Sequence, residues 1–349
     1  MKALINRLRD TGALSRDEWI KLFTSRSPDD EAYARAMARE ICDGVYGKSV
    51  FLRGLIEVSS YCKNDCYYCG LRRGNTQCER YRISPEDIME CCRAGYELGL
   101  RTFVLQGGED MWFTDERLQD IVSGIRREFP DCAITLSLGE RSRESYQRLF
   151  DAGANRYLLR HETADAGHYG MLHPMSMSME ARMECLRQLK AIGYQVGAGM
   201  MIGSPGQSAE TLAKDMLFLA ELKPHMVGVG PFLPHHATPF KDKAPGSAKD
   251  TLFILSLVRI MLPQVLLPAT TALATLDVSG RIMGLRCGAN VIMPNLSPAD
   301  VRSKYLLYDG KRATGNEAAE SIRLIRQELA GEGFEAVVSR GDHISFAKH

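Results

Sequence analysis

Short apolar runs alternate with amphipathic helical segments eight times along most of this chain. Because a strand that is followed by a helix returns the chain to the same end of a sheet, this alternation predicts parallel strands. Eight repeats favour a closed (β/α)8 TIM barrel, an α/β fold, over an open doubly wound sheet. The seventh predicted strand has the weakest pattern, since Pro268 interrupts it. The predicted strands are 55–58, 102–105, 133–138, 156–159, 195–201, 226–229, 266–269 and 290–293.

The regions before and after the predicted barrel differ from it in pattern. Residues 1–50 have the apolar spacing of helices and are predicted to form an N-terminal helical extension. The barrel is predicted to span 51–310. Residues 311–349 turn polar and then predict a helix over 317–329 and a further short strand over 335–339, which together make a C-terminal extension. One domain with two terminal extensions is the simplest organisation for 349 residues.

The charge balance narrows the class of partner. The chain carries 44 basic and 43 acidic residues, a formal net charge of +1, and so lacks the basic excess typical of nucleic-acid-binding proteins. The longest apolar runs, such as 252–262, are too short to span a bilayer and contain Arg259. The N-terminal residues lack the continuous apolar stretch of a signal peptide. We therefore expect a cytoplasmic enzyme that binds neither nucleic acid nor membrane.

Three of the ten cysteines, Cys62, Cys66 and Cys69, stand close together in the spacing C-x3-C-x2-C, on the loop after the first predicted strand. Thiolates suit zinc and iron-sulfur clusters, and three thiolates leave one iron of a 4Fe-4S cubane open. Zinc is the alternative, with Cys78 as a fourth ligand, although structural zinc usually takes two cysteine pairs and no second pair of this spacing follows. Three unliganded core cysteines are a weaker alternative on so polar a loop.

Other predicted strands also end in polar or glycine-rich segments, where a barrel collects its active-site groups. The second strand runs into 106–110, the fourth into 160–163 and the fifth into the glycine-rich 197–207. Ionisable side chains at a strand end are costly to bury without a partner, which favours a functional site at 160–163, with a surface turn held by an Arg-Glu pair as the alternative. Thr270 and Thr271 offer hydroxyl groups to an anion, and an ordinary pair of β-branched strand residues explains them equally well.

Four arginines, Arg156, Arg160, Arg182 and Arg286, would concentrate positive charge at the barrel mouth if their side chains face it. Arginine binds carboxylates through two parallel hydrogen bonds, so such a group would suit an amino-acid-like ligand. Taken singly, each of these arginines is more typical of a solvated surface position.

The cysteine motif, with the aromatic Tyr68 before its last cysteine, resembles the signature of the radical S-adenosylmethionine (SAM) superfamily. This resemblance implies a 4Fe-4S cluster whose open iron binds the amino and carboxylate groups of SAM, and an electron transfer that splits SAM into methionine and a 5′-deoxyadenosyl radical. Longer strings, among them VLQGGED, RYLLRHETAD, GAGMMIGSPGQ and CGANVIMPNLSP, resemble the HydE family of iron-iron hydrogenase maturases. The similarity covers roughly 50–310, and the same subgroup contains biotin synthase and methylornithine synthase.

The resemblance to the HydE family also implies individual site residues. One cluster is expected, since the cysteines outside the motif form no second tight group. Gly107 stands where some members have serine, which removes one possible hydroxyl contact to SAM. The implied SAM contacts are Tyr68, Gln106, Gly108, Glu109, Glu162, Arg182, Tyr305 and Leu307. The implied substrate contacts are Arg156, Arg160, Thr270, Thr271, Met293 and Tyr308.

The activity implied by the resemblance is the conversion of an iron-cysteine carbonyl-cyanide precursor into the diiron core of the hydrogenase H-cluster. The 5′-deoxyadenosyl radical is expected to attack a sulfur atom of that small organometallic substrate. The implied partners are an electron donor such as ferredoxin or flavodoxin and the other hydrogenase maturases. A methylornithine-synthase-like mutase, or another biotin-synthase-like enzyme acting on a small amino-acid-like substrate, is the alternative on the same scaffold. A non-enzymatic cluster carrier is the alternative outside the enzymes.

Overall fold

The computed structural model describes residues 1–311 and 318–347. None of the helices in these two ranges is both long enough and apolar enough to cross a bilayer. Strands alternate with helices from β2 to β8, as the sequence pattern predicts. The strands are β1 (Ser49–Leu52), β2 (Gly54–Ser59), β3 (Thr102–Gly107), β4 (Ala133–Ser137), β5 (Arg156–Leu158), β6 (Gln195–Ile202), β7 (Met226–Pro231), β8 (Val291–Ile292) and β9 (Glu335–Val337). The helices are α1 (Lys2–Thr11), α2 (Arg16–Ser25), α3 (Pro28–Tyr46), α4 (Pro85–Glu97), α5 (Asp115–Glu128), α6 (Arg143–Asp151), α7 (Ala166–Leu172), α8 (Met179–Ile192), α9 (Ala209–Leu222), α10 (Ala248–Met261), α11 (Thr271–Leu276), α12 (Gly280–Arg286), α13 (Ala299–Arg302) and α14 (Ala318–Gly331).

Six strands, β2 to β7, form one parallel sheet in chain order. Every residue of β2, β6 and β7 is buried. This explains why these strands read as nearly continuous apolar runs rather than as alternating ones, because helices cover the outer face of a parallel sheet. Helices α4, α5, α8 and α10 pack against the strands from outside. The predicted α/β architecture with parallel strands is confirmed.

The last two positions of the predicted barrel are less regular than the first six. The segment 266–269 contains Pro268, which lacks the N–H group that a continuous ladder needs. β8 is two residues long and pairs with β1. Continuous ladders therefore do not close the ring, and the gap between β7 and β2 is spanned by isolated parallel bridges. These bridges join Met226 with Leu266, Pro268 with Val291, and Leu55 with Asn295.

The N-terminal helices lie against the outside of the barrel. α3 packs along α10, α1 contacts both of them, and α2 packs against α9. Capping boxes of Ser15 with Glu18 and of Ser27 with Asp30 begin α2 and α3. In each box the serine oxygen accepts an N–H that the first helical turn leaves without a partner. The residues predicted to be helical thus cover one wall of the barrel.

The C-terminal residues return to the barrel. β9 lies within the predicted strand 335–339 and pairs in parallel with β1. The sequence pattern does not predict β1, because four residues are too few to show a period. α14 coincides with the predicted helix, whose first residue falls with 312–317 outside the described residues, as do 348–349 of the expected extension.

The tail plug, residues 340–343, closes the end of the barrel at which the strands begin. Arg156, the first residue of β5, is fully buried there. Its guanidinium donates to the Arg340 carbonyl at 2.6 Å and to the Asp342 carboxylate at 2.5 Å. Thr102, the first residue of β3, donates to the Arg340 carbonyl at 2.7 Å. The carboxyl ends of the strands therefore remain the open end of the barrel.

Candidate active site

The loop after β2 carries three free thiols to the open end of the barrel, where Cys62, Cys66 and Cys69 line one cavity of about 290 Å³. At least one pair of their sulfurs is more than 4.8 Å apart. Three thiolates on one zinc ion would lie roughly 3.8 Å from each other, given Zn–S bonds of about 2.3 Å. Cys78, the fourth ligand of the zinc alternative, does not line the cavity, and its thiol faces the Glu79 carbonyl at 3.9 Å. The arrangement fits a multi-iron cluster better than a single zinc.

Hydrogen bonds within this loop fix its path. The Asp65 carboxylate accepts from the Arg72 guanidinium at 2.7 Å and from the Gly74 N–H at 2.9 Å. The buried Asn75 side chain donates to the Gly70 carbonyl at 2.7 Å. Asp65 lies between the first two cysteines of the motif, and Gly70 directly follows the last. These bonds therefore hold the thiols in place through the protein itself.

The thiols sit in surroundings that favour their protonated form. Burial raises the pKa of Cys69 to about 12 and that of Cys66 well above its ordinary value, and the neighbouring thiols add to both shifts. Burial likewise raises the pKa of Cys62. Metal binding here has to displace these protons, as it does at other thiolate sites. The loop after β3 comes very close, since a Cβ on Gly108 would lie 2.2 Å from the Tyr61 carbonyl oxygen. Three soft donors in this tight surrounding fit a 4Fe-4S cluster with one iron left open.

Arg182 of α8 and two carboxylates lie beside the cysteines. Its Nε is 2.7 Å from Glu140 Oε1, and its Nη2 is 3.8 Å from Glu109 Oε1. Burial by itself would lower the pKa of Arg182, but the two carboxylates outweigh burial and raise it. Glu109 also lies 3.3 Å from the Lys63 ammonium group. Gly139, with φ of 77°, permits this approach, because a Cβ there would lie 1.9 Å from Glu109 Cγ. An anchored guanidinium and its carboxylates thus border the cysteine cavity.

Arg160 and Glu162 follow β5 and line the same cavity, where Arg160 Nη2 lies 3.0 Å from Glu162 Oε2. Glu162 is 8% exposed, so this Arg-Glu pair is not the surface turn of the alternative interpretation. The φ of Glu162 is 65°, in the left-handed region, and its N–H donates to the Gly199 carbonyl at 3.0 Å. The Tyr68 hydroxyl lies 3.3 Å from His173 Nε2. Burial first and the Glu162 charge second raise the pKa of Tyr68 above its ordinary value.

A segment that follows α13 covers the cavity from outside. Tyr305, Leu307 and Tyr308 contribute to its lining. The Gly70 N–H donates to the Leu307 carbonyl at 2.9 Å, which joins this segment to the cysteine loop. Gln106 at the end of β3 donates through Nε2 to the Tyr305 hydroxyl at 3.5 Å. Three parts of the chain that are distant in sequence therefore meet around one space.

The structure brings most of the predicted site residues together. Thr270 lines the cavity and also caps α11, because its hydroxyl accepts the Leu273 N–H at 3.4 Å. Two other implied substrate contacts, Arg160 and Tyr308, line the same cavity. The implied SAM contacts all line it, namely Tyr68, Gln106, Gly108, Glu109, Glu162, Arg182, Tyr305 and Leu307.

Three implied substrate contacts lie elsewhere. Arg156 binds the tail plug at the opposite end of the barrel, so the expectation that it lines the substrate cavity is corrected. The physical reason is its position as the first residue of β5, since the start of a parallel strand lies at the end away from the active site. Thr271 is exposed at the start of α11. Met293 packs against an apolar group that includes Phe51 and Met226.

Two residues near the cavity were not predicted from the sequence as site residues. Glu140 follows the end of β4, so the rule that strand ends carry the site could have identified it. His173, whose Nε2 lies 3.3 Å from the Tyr68 hydroxyl, ends a helix and has no signal of that kind. Arg286 is outside the cavity: it pairs with Glu332 at 2.6 Å, with 54% of its side chain exposed. It is a solvated surface residue, as the alternative interpretation held.

Comparison with known proteins bears directly on this arrangement. A family model described as the radical SAM superfamily matches residues 56–219. The FeFe hydrogenase maturase subunit HydE of Thermotoga maritima is 47% identical over 303 residues, which cover 85% of this chain and 86% of that protein. A 3-methylornithine synthase of Methanosarcina barkeri is 31% identical over 86% of each chain.

Solved structures agree with the sequence relatives. The crystal structure of methylornithine synthase (PylB) has a TM-score of 0.83 at 26% identity and covers 96% of this chain and 97% of that one. A crystal structure of HydG, a maturase of the FeFe hydrogenase, has a TM-score of 0.79 at 19% identity and covers 95% and 74%, which shows a shared fold. The predictions of an enzyme of the radical SAM type, with a 4Fe-4S cluster and SAM as cofactors, are confirmed. By its cysteine motif and its identity to the Thermotoga protein over most of both chains, this chain belongs to the radical SAM superfamily and, within it, to the HydE family.

Proposed function

We propose that this chain is a HydE-type maturase that cleaves SAM reductively and uses the 5′-deoxyadenosyl radical in the assembly of the diiron core of the hydrogenase H-cluster. The observation that carries the proposal is a single cavity lined both by the cysteines of the motif and by a second polar set, Arg160, Thr270 and Tyr308. A cluster carrier would have no use for that second set. An enzyme that brings SAM and a further ligand together requires it.

The residues beside the cysteines suit SAM. Cys62, Cys66 and Cys69 would hold the cluster through their thiolates and leave the fourth iron to SAM. When bound, the cluster supplies the electron that breaks a carbon–sulfur bond of SAM. The Arg182 guanidinium would bind the SAM carboxylate, and the Glu162 carboxylate would accept hydrogen bonds from SAM hydroxyl groups. Both side chains already line the cavity in fixed positions.

The substrate is proposed to be a small organometallic species, an iron-cysteine carbonyl-cyanide precursor. Arg160 would bind the carboxylate of its cysteine part, and the Thr270 and Tyr308 hydroxyl groups would donate further hydrogen bonds. Arg160 also pairs with Glu162, which connects the proposed substrate and SAM positions. Apolar side chains complete the wall and would keep water from a radical that attacks the substrate sulfur. They are Leu158, Leu159, Met201 and Leu233.

A methylornithine-synthase-like mutase is the second candidate function. It is supported by the 31% identity to 3-methylornithine synthase and by the TM-score of 0.83 to PylB. An amino-acid substrate would also suit Arg160, because its carboxylate could form the same bidentate pair. The higher identity to HydE, 47% over most of the chain, favours the maturase.

Product analysis separates these functions. Protein reconstituted with its cluster under anaerobic conditions is incubated with SAM and dithionite, and 5′-deoxyadenosine is measured. We expect SAM cleavage that increases with a synthetic cysteine-ligated iron carbonyl-cyanide complex, and no methylornithine when lysine is supplied. Formation of methylornithine would transfer the assignment to the mutase. A fully loaded, reduced protein that leaves SAM intact would overturn both functions.

The electron donor is proposed to be a small acidic redox protein such as ferredoxin or flavodoxin. Residues 61–82 around the cysteines carry five basic and two acidic side chains, although the whole chain is nearly neutral. Exposed Met171 and Met175 lie on an adjoining segment, and methionine is an adaptable docking residue. Arg73→Glu should slow SAM cleavage driven by reduced flavodoxin and leave the dithionite-driven rate unchanged. Lys21→Glu on the distant α2 is the matched charge reversal, and equal slowing by both variants would contradict this docking position.

The other proposed partners are the remaining hydrogenase maturases, which would supply the precursor or accept the product. We also propose that the protein works in the cytoplasm. All ten cysteines are free thiols, which suits a reducing compartment, where disulfides are rare. Cell fractionation followed by immunodetection would test that location.

A further inference from the structure

Glu162 holds a backbone conformation that its residue type disfavours. Its φ of 65° lies in the left-handed region, which residues other than glycine rarely adopt. Such a conformation persists where the surrounding structure over-determines it, and it is often found at ligand sites. The Glu162 N–H donates to the Gly199 carbonyl at 3.0 Å, and its carboxylate lies beside Arg160 in the cavity. The chain next to Glu162 must therefore contain groups that hold this conformation.

His161 is the first such group. It is fully buried, and its Nδ1 accepts the Gly199 N–H at 3.3 Å. Both backbone groups of Gly199 are thus bound by this segment, one by the His161 side chain and one by the Glu162 N–H. A ring nitrogen that accepts a hydrogen bond carries no proton, so the imidazole is neutral with its proton on Nε2. That Nε2 lies 3.5 Å from Asp215 Oδ1.

Asp215 is the second group. It belongs to α9, outside the sheet, and is fully buried. Its Oδ1 accepts the Ala164 N–H at 2.5 Å while it faces His161. One carboxylate oxygen therefore contacts the residue before Glu162 and the second residue after it. Among the described residues no lysine or arginine forms an ion pair with Asp215. A buried carboxylate without a cationic partner is unfavourable for folding alone, which indicates a role beyond packing.

We propose that Asp215 is a positioning residue that acts through His161 to hold Glu162 where its carboxylate meets SAM. This inference rests on the proposed role of Glu162 in SAM binding and adds the residues behind it. The Asp215 carboxylate keeps the imidazole proton on Nε2 and so leaves Nδ1 free to accept the Gly199 N–H. Through Ala164 it also fixes the chain on the far side of Glu162, whose strained backbone is then held from both directions.

A double-mutant cycle in the cluster-loaded enzyme tests this coupling. Asp215→Asn removes the charge that fixes the imidazole proton but keeps an oxygen for the Ala164 N–H. The Kd of SAM is measured from the change that SAM causes in the spectrum of the reduced cluster. We expect Asp215→Asn to weaken SAM binding about tenfold in the otherwise native enzyme and less than about twofold in a Glu162→Gln background, because the contact is already lost there. A residue that merely stabilised the fold would weaken binding by the same factor in both.

Asp165→Asn is the matched control. Asp165 lies in the same segment, but it pairs with Lys214 at 2.6 Å and caps α7, a role that asparagine also fills, so the Kd of SAM should not change. Equal weakening in both backgrounds, or a folded Asp215→Asn with native affinity, would overturn the positioning role. If Glu162→Gln itself binds SAM normally, the proposed SAM contact of Glu162 fails, and this inference fails with it. Should Asp215→Asn not fold, His161→Gln is carried through the same cycle with the same two expectations.

Discussion

The two ends of the barrel both bury arginines but give them different surroundings. At the carboxyl end of the strands, Arg160 and Arg182 face carboxylates around an open cavity of about 290 Å³. At the other end, Arg53 and Arg156 bind oxygens of the tail plug, residues 340–343. The same side chain therefore serves a ligand site at one end and closure of the fold at the other. Its position along the strand decides which of these roles it has.

The electrostatic surroundings of the two ends differ in the same way. Burial lowers the pKa of Arg156 to about 10, even though Asp342 is adjacent and acts in the opposite direction. Burial also lowers the pKa of Arg53, and the Arg156 charge adds to that shift. At the mouth, Glu140 and Glu109 outweigh burial and raise the pKa of Arg182. The mouth thus has spare carboxylate charge for a cationic ligand such as SAM, whereas the closed end has spare positive charge that the tail only partly neutralises.

The largest expected effect is at the mouth. Cys66→Ser removes a thiolate ligand, and a serine oxygen is a poor replacement for it on iron. We expect this variant to lose the cluster and with it all SAM cleavage, as measured by iron content and 5′-deoxyadenosine formation. Cys91→Ser is the control, since Cys91 is buried in α4 and does not line the cavity. Full iron content with native SAM cleavage in Cys66→Ser would break the assignment of the mouth as the cluster end.

The next largest effect is expected at the closed end and concerns stability. Arg156→Met leaves the Asp342 carboxylate without its buried partner, which should lower the free energy of unfolding by about 3–5 kcal/mol. Urea unfolding measures this loss, and adding Asp342→Asn should recover part of it because the unpaired charge is then removed. The affinity of the folded variant for SAM should stay native. A stable Arg156→Met with much weaker ligand binding would reverse the comparison between the ends.

Arg156 also shows where the sequence pattern reaches its limit. Buried apolar runs are visible in a sequence, which is why six strands of the parallel sheet could be predicted. Arg156 and Arg160 lie four positions apart and look equivalent until the bounds of β5 are known. Since β5 begins at Arg156 and ends at Leu158, the first arginine faces the closed end and the second lies beyond the mouth end of the strand. An error of a few residues in a strand boundary is therefore enough to move a side chain across the barrel.

Locality explains the rest of the difference. The cysteine loop is encoded within eight consecutive residues, so its ligands could be named from the sequence alone. The tail plug depends on contacts between distant residues, such as Arg156 with Asp342, and its own sequence shows no period. Tyr305 and Leu307 reach the cavity from the far end of the chain as well. They were named from the resemblance to a family rather than from any pattern in the residues.

A smaller effect, confined to ligand binding, is expected for Arg160→Met. The Arg160 side chain is 33% exposed, so the loss in unfolding free energy should stay below about 1 kcal/mol. The loss of a charged hydrogen bond to the substrate should lower substrate-dependent 5′-deoxyadenosine formation roughly 10–100-fold. Rates with and without the cysteine-ligated iron complex measure this. Arg286→Met, at an exposed arginine outside the cavity, is the control. Similar losses in both variants would place Arg160 outside the substrate site.

The smallest expected effect is a pH dependence of stability at the closed end. The His225 ring accepts the Val196 N–H through Nδ1 at 3.0 Å and packs 5.0 Å from the ring of His343 in the tail plug. Burial first, and His343 second, lower the pKa of His225 to about 4. In the unfolded chain a histidine titrates near about 6.5, so the unfolded state takes up a proton that the folded state resists. The stability that His225 contributes is therefore fully present above about pH 6.5 and is lost as the pH falls towards 4.

His225→Gln isolates this contribution. The difference in unfolding free energy between the native protein and the variant should be constant above about pH 6.5 and change steadily below it, in the direction of relative loss for the native protein. Urea unfolding followed by circular dichroism between pH 7 and 4.5, with both proteins free of cluster, gives the two curves. Cluster removal matters because proton competition at the mouth cysteines would otherwise add its own pH dependence. A difference that stays flat across this range would mean that His225 is hydrated in the folded protein, and the closed end would then be the looser of the two.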